Sequence, residues 1–254
     1  MNNLLAFQSI ARKEVKRIFR IWIQTIVPSV INATLYFLIF GAFIGSQIKE
    51  VQWVPYINFL VPWFILMSVI TASYMNVSSS FFGAKFQKSI EEILTAPIPW
   101  YIVIFWYISG GIVRGSTIAL AIYLISLFFT QIIPEHIFIT LLFLFFTTSL
   151  FSLLGLFNAF FAKNFDQVNL IPTFVITPLV YLGWVFYPIA SLPGFWKTIS
   201  MLNPIYYMIN GFRYGFLGLT EVNAYISLSA IILCNLALFW VNLWMYKNGK
   251  GLKN

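Results

Sequence analysis

Apolar positions along this chain neither alternate nor recur on one helical face; they run on. Nearly unbroken apolar stretches occupy about 21–45, 56–80, 100–129, 137–161, 168–187 and 225–246. Each is close to the roughly twenty residues a helix needs to cross a hydrocarbon core. The pattern predicts an all-α polytopic membrane protein with six transmembrane helices. Two segments depart from it. Near the N-terminus, Leu4, Leu5, Phe7, Ile10, Ala11, Val15, Ile18 and Phe19 fall mostly on one face, with Arg12, Lys13, Lys16, Arg17 and Arg20 largely opposite. This spacing predicts an amphipathic interfacial helix over 1–20, held on the cytoplasmic surface by apolar burial and anionic membrane lipids. Residues 188–224 are too apolar for an ordinary loop, yet carry Pro188, Pro193, Pro204, Lys197 and Arg213. Prolines break helices and charges are costly at the bilayer centre. The segment therefore predicts a re-entrant helical hairpin on the outer side, between spans five and six, turning near Asn203-Pro204 because residues before proline avoid helical geometry.

Composition removes the soluble alternative. Of 254 residues, 60% are hydrophobic, 20% aromatic and only 9% charged, against about 25% charged in soluble domains. The length suits one membrane domain, 1–254, with little left for another. The basic N-terminal segment precedes a run too long for a signal peptide's apolar region, and no small-residue cleavage site follows it, so no secretory signal is expected. Loop charge then orients the chain. With the N-terminus inside, eleven bases lie on the cytoplasmic side, among them Lys85, Lys88, Lys163, Lys247, Lys250 and Lys253. Lys49, Lys197 and Arg213 lie outside. By the positive-inside rule both termini are cytoplasmic. Arg213 is expected near the outer interface, its stem snorkelling so that its charge stays wet. Cys234, the single cysteine, excludes an intrachain disulfide framework and reads as a packed thiol.

Chemistry is sparse. The stretch FFGAKFQKSIEEILTAPIPW, residues 81–100, sets Lys85, Lys88, Glu91 and Glu92 between two spans on the cytoplasmic side. Ser89 and Glu92 have the spacing of a capping box, Ile90, Ile93 and Leu94 form an apolar face, and Pro97 and Pro99 stop the helix. A short amphipathic helix over 84–97 follows, either a partner's docking element or the closure of a hairpin. Arg114, in GGIVRGS near the middle of the third span, has no Asp or Glu in any predicted hydrocarbon core. Such a residue faces a bundle interior or a water-filled cavity. It either meets an anionic group of a substrate or lipid, or is a structural arginine beside Gly110, Gly111 and Gly115, which allow close helix approach. Tyr36, Phe40, Trp63, Tyr181, Trp184 and Tyr187 on spans one, two and five are candidate path-lining aromatics. Pro28, Pro62, Pro172 and Pro178 predict kinks. The lone His136 sits beside Glu135 at an outer turn and reads as solvated; no metal-ligand cluster or nucleophile–base arrangement is present. No G-x-x-x-x-G-K-[ST] phosphate loop occurs, so the chain is not expected to be an enzyme or to hold a cofactor. An ion-coupled secondary transporter would want intramembrane acids or histidines, and the seven acids all fall at or beyond span ends. A membrane-embedded enzyme would want a polar catalytic cluster.

The order of these parts resembles the membrane subunits of type-2 ABC transporters, over essentially the whole chain. KSIEEILTAPIP at 88–99 looks like that family's coupling-helix motif, and LNPIYYMINGFRYGFLG at 202–218 is similar to its C-terminal signature of an Asn-Pro, aromatics and an Arg-Tyr. The resemblance implies that Ser89, Ile90, Glu91, Glu92 and Leu94 couple to an ABC-type ATPase subunit, which would bind the ATP. It implies that Asn203, Pro204, Arg213 and Tyr214 mark the re-entrant segment, and that two copies form a homodimer around a path with Arg114, Tyr36, Trp63 and Tyr181 as candidates along it. The expected setting is the bacterial plasma (inner) membrane. The resemblance is nearest to small export permeases for drugs, lipid-linked glycans or polysaccharides, and no nucleic acid is among the expected partners.

Overall fold

The computed structural model describes residues 20, 22–45, 50–51, 53–90, 92, 99–183 and 194–249. The expected interfacial helix over 1–20 falls almost wholly outside them. The chain is helical nearly throughout. A short turn, Trp22–Thr25, leads into α1 (Val27–Tyr36), which continues as a wider π-helix over Phe37–Ile44. A two-residue hairpin, β1 (Glu50–Val51) with β2 (Val54–Pro55), joins it to α2 (Tyr56–Phe86). Then come α3 (Trp100–Phe129) and α4 (Ile137–Phe161). Residues 165–181 form one helical run: α5 (Phe165–Ile171), a π turn opened by Pro172, and α6 (Thr177–Tyr181). Finally α7 (Gly194–Leu202), α8 (Pro204–Leu217) and α9 (Ala224–Lys247) follow. Among the described residues, five helices are long and apolar enough to span a membrane: Trp22–Gly41, α2, α3, α4 and α9. The expected span at 168–187 falls on the 165–181 run, which is interrupted by the π turn and is not among these five, and its last residues are not described.

Burial is uneven, and small residues explain why. The most apolar window of α2 is 72% buried, against 17% for the first span and for α9. Around α2, a Cβ on Gly111 of α3 would collide with Ser152 of α4, and one on Gly115 with Ser73 of α2 and Thr148 of α4. A Cβ on Gly155 of α4 would lie 2.5 Å from the Tyr74 carbonyl. With no hydrophobic force to drive helices together in lipid, such gaps let backbones approach until dispersion contacts add up. Hydroxyls in this seam bond within their own helix, Ser152 Oγ donating to the Thr148 carbonyl at 2.6 Å and Thr148 Oγ1 to Leu144 at 2.9 Å. These two donors are satisfied without leaving α4, whereas Ser73 Oγ of α2, in the same seam, is buried without a hydrogen-bond partner among the described residues. The outward faces carry exposed apolar side chains such as Leu35, Leu120, Phe128, Phe138, Leu233 and Trp240, the surface a lipid solvent requires.

Named contacts fix the relative directions of the helices. Ser73 and Val77 of α2 meet Gly115 and Gly111 of α3, and Thr148 and Ser152 of α4. Hence α3 runs against α2 and α4, while α2 and α4 run together. Asn235 and Asn242 of α9, seven residues apart, donate to the Phe146 and Leu153 carbonyls of α4, also seven apart, at 3.0 and 3.1 Å. These two stitches make α9 parallel to α4. Gly211 and Gly215 of α8 face Phe143 and Thr140 of α4, so α8 runs the other way. Tyr74 Oη donates to the Val168 carbonyl at 3.3 Å, and Asn158 Nδ2 reaches Tyr74 Oη at 2.6 Å, tying α5 to α2 and α4.

Candidate functional site: a polar groove at bilayer depth

The first span carries an unexpected stripe. Gln24, Pro28, Asn32 and Tyr36 recur every four residues, which places them on one helical face. Gln24, Pro28 and Asn32 are exposed, where a lipid-facing helix would show only apolar side chains. Opposite them, Met67, Ser68, Thr71 and Met75 line one face of α2. Between the two helices lies a cavity of about 330 Å³, with Arg114 of α3 at its wall and Thr25 and Ser29 completing the polar lining. Several hydroxyls spend their proton locally: Thr71 Oγ1 donates to the Met67 carbonyl at 3.1 Å and Ser29 Oγ to Thr25 at 3.5 Å. Their lone pairs remain for the groove. Arg114 is half-buried beside Gly115, whose lack of a side chain lets α3 close on Ser73 and Thr148. Of the two expectations for these residues, Gly111 and Gly115 serve helix approach, while Arg114 points away from that seam into the groove.

Aromatic rings close one end of the cavity. Tyr36 stacks on Phe64 at 5.2 Å and lies edge-on to Trp63 at 6.4 Å, and Trp63 meets Tyr181 at 6.1 Å. Of the four path candidates, then, Arg114 and Tyr36 line the groove. Trp63 is fully buried behind Tyr36, and Tyr181 is exposed beyond it. Gln24, Ser29, Asn32, Ser68 and Thr71 went unremarked in the sequence; the signal that marks them is polar residues recurring at helical spacing inside apolar runs, Gln24 and Asn32 eight apart and Ser68 and Thr71 three apart.

The end of the bundle where α2 finishes is organised around Lys85. Its ammonium is buried and donates to the Phe160 and Ala162 carbonyls at 3.0 and 3.3 Å, satisfying the C-terminus of α4. Just beyond, Lys88 adopts a left-handed φ of 59°, which turns the chain out of α2. Ser89 Oγ donates back to the Ala84 carbonyl at 3.3 Å. Ile90 is buried with Phe160, Ala162 and Val168, and Glu92 is exposed. Glu91 and Leu94 lie outside the described residues. The start of this segment is thus anchored to α4 and to the turn that begins α5.

At the opposite end, the break between α7 and α8 falls at Asn203. Its side chain accepts from the Ile205 amide at 2.9 Å and donates to the Leu179 carbonyl at 2.6 Å, while Pro204 occupies the first position of α8, where a missing N–H costs nothing. Tyr214 packs against the exposed His136 ring at 5.1 Å. Arg213 corrects an expectation: it does not snorkel. It is 0% exposed, with its guanidinium 3.7 Å over the Phe59 ring and Glu221 the acid nearest in electrostatic influence. Asn210 brings that acid inward. Its Oδ1 accepts from the Glu221 amide at 2.9 Å, and its Nδ2 donates to the Val222 carbonyl at 2.7 Å and to Ser227 Oγ at 3.0 Å. The loop after α8 is therefore folded back over the helix.

Known proteins match this chain in sequence. The profile of a family described as ABC-2 type transporter covers residues 5–217. An inner membrane transport permease of Escherichia coli K12, YadH, is 48% identical over 251 residues, 98% of each chain. More distantly, nodulation protein J of Rhizobium meliloti is 21% identical over 215 residues, 84% of this chain and 81% of its own. The nodulation protein J of Rhizobium leguminosarum bv. viciae is likewise 21% identical, over 221 residues.

Proposed function

Because the chain belongs to the ABC-2 type transporter family, we propose that it is the membrane-spanning permease subunit of an ATP-binding-cassette exporter, working as a homodimer on a separate ATPase. The groove between the first span and α2 carries this reading. A polar face at hydrocarbon depth is stable only against water, a substrate or another copy of the protein. Two such faces brought together enclose a path. ATP binding and hydrolysis fall to the partner chain, since this one has no phosphate loop.

The helix directions support six crossings with both termini cytoplasmic. Since α4 and α9 run parallel, the chain between them crosses back once, which the 165–181 run can do. The α7–α8 pair then enters and leaves on the outer side, as a re-entrant hairpin. The N-terminal amphipathic helix would lie on the inner surface. Placement in the bacterial inner membrane follows that of the 48%-identical inner membrane transport permease. The segment from Ser89 to Leu94 would dock the ATPase, with Glu91 and Glu92 facing the partner and Ile90 anchoring the base.

Reversing both charges, Glu91→Lys with Glu92→Lys, is expected to lower ATPase recovered with the purified permease by about tenfold, the effect of losing roughly 1.4 kcal/mol. The amount of permease in the membrane should not change, because the segment lies outside the hydrocarbon. Undiminished co-purification and unaltered ATP hydrolysis would remove the docking role.

A further inference from the structure

The exporter reading leaves the cargo open, and the chemistry of the groove narrows it. Resting on that reading, we infer that the groove is a binding site for a phosphate-type anion, carried on a lipid headgroup or free in the cytoplasm. Its charge is one-signed. Among the described residues that line it, Arg114 is cationic and every other side chain is neutral, with no Asp or Glu. A guanidinium presents a planar fork of donors that matches two phosphate oxygens at once, and it keeps its charge at every physiological pH. The amides of Gln24 and Asn32, both exposed on the first span, add donors for the remaining oxygens. At hydrocarbon depth the attraction is screened far less than at a wet surface.

The shape suits a headgroup. A volume of about 330 Å³ is at the small end of ligand pockets, roughly 300–1,000 Å³, too little for a whole lipid. Met67 and Met75 at the edge offer flexible thioethers to an apolar continuation. In the proposed topology the groove runs from Gln24, near the inner end of the first span, to Tyr36, past its middle. A ligand would therefore enter from the inner leaflet or from the cytoplasm.

The charge preference is measurable without transport. In a Cys234→Ser background, Thr71→Cys places a thiol on the groove wall of the full-length protein. It is modified with an anionic sulfonatoethyl and a cationic trimethylammonioethyl thiosulfonate, each rate divided by its rate on a free thiol. The anionic reagent should be favoured by about tenfold or more at this dielectric, and Arg114→Gln should bring the ratio to near one. Arg114→Lys, which keeps the charge without the fork, serves if the glutamine variant fails to accumulate, and should keep the preference. Vesicles of phosphatidylglycerol should then slow modification several-fold relative to phosphatidylcholine if the anion is a lipid headgroup. Inorganic phosphate should do so if it is a free ion. A ratio near one in the Thr71→Cys protein, a ratio unmoved by Arg114→Gln, or no protection by either anion overturns the site. None of these readouts involves the ATPase, so the anion site fails independently of the exporter.

Discussion

Arg114 and Arg213 bring the same guanidinium into the membrane region and meet different surroundings. Arg114 opens onto a groove; Arg213 is sealed between the Phe59 ring and a loop carrying Glu221. Tyr206 Oη donates to Glu221 Oε2 at 3.5 Å, tying that loop to α8. Truncating this fully buried side chain leaves a cavity against the Phe59 ring, a loss of about 2–5 kcal/mol. Arg213→Ala should therefore lower the melting temperature in detergent clearly, and Arg213→Met combined with Glu221→Gln should recover most of it. A single alanine variant that melts like the parent would contradict this burial. The depth of Arg114 was legible because its position within an apolar run is itself a depth. The burial of Arg213 was not. It depends on Asn210, whose amide folds residues 220–222 back over α8, and nothing in the linear spacing of Arg213 and Glu221 announces that fold.

Within elements, glycines of identical composition carry opposite consequences. On Gly83 of α2, an added methyl meets nothing within 4 Å; on Gly155 of α4 it lies 2.5 Å from the Tyr74 carbonyl. Alanine is favoured over glycine in a helix by about 1 kcal/mol. Gly83→Ala should raise thermal stability slightly, and Gly155→Ala should lower it by about 1–3 kcal/mol as α4 is pushed off α2. Equal shifts in the two variants would argue against the close α2–α4 seam. The sequence displayed the apolar runs and hence most of the helices, because length and hydropathy are local. Which run becomes the centre was hidden, since α2 and α9 look alike in composition while their burial differs fourfold, 72% against 17%. The groove was hidden for a related reason. Gln24 and Asn32 vanish when a span is read as a block and appear when it is read by face.

For the whole molecule, the direction of each helix predicts an accessibility map. Single cysteines at Thr220 and Lys163, both exposed, in the Cys234→Ser background should divide sharply. The first should react with an impermeant maleimide added to intact cells, the second only after the membrane is opened. Reaction at Lys163 from outside would reverse the orientation drawn from loop charge. The enclosed position of α2 also has a meaning in time. It leaves the ribosome second, before the helices that surround it exist. Ser73, Asn76 and Ser78, all buried in the finished protein, then face lipid or the insertion machinery until α4 is complete. At about 5–20 residues per second, that interval lasts about 4–15 s. A chain halted between α2 and α4 would expose this polar face as a mark of incompleteness, so truncation there should produce rapid proteolysis, while loss of α9 alone should be tolerated longer.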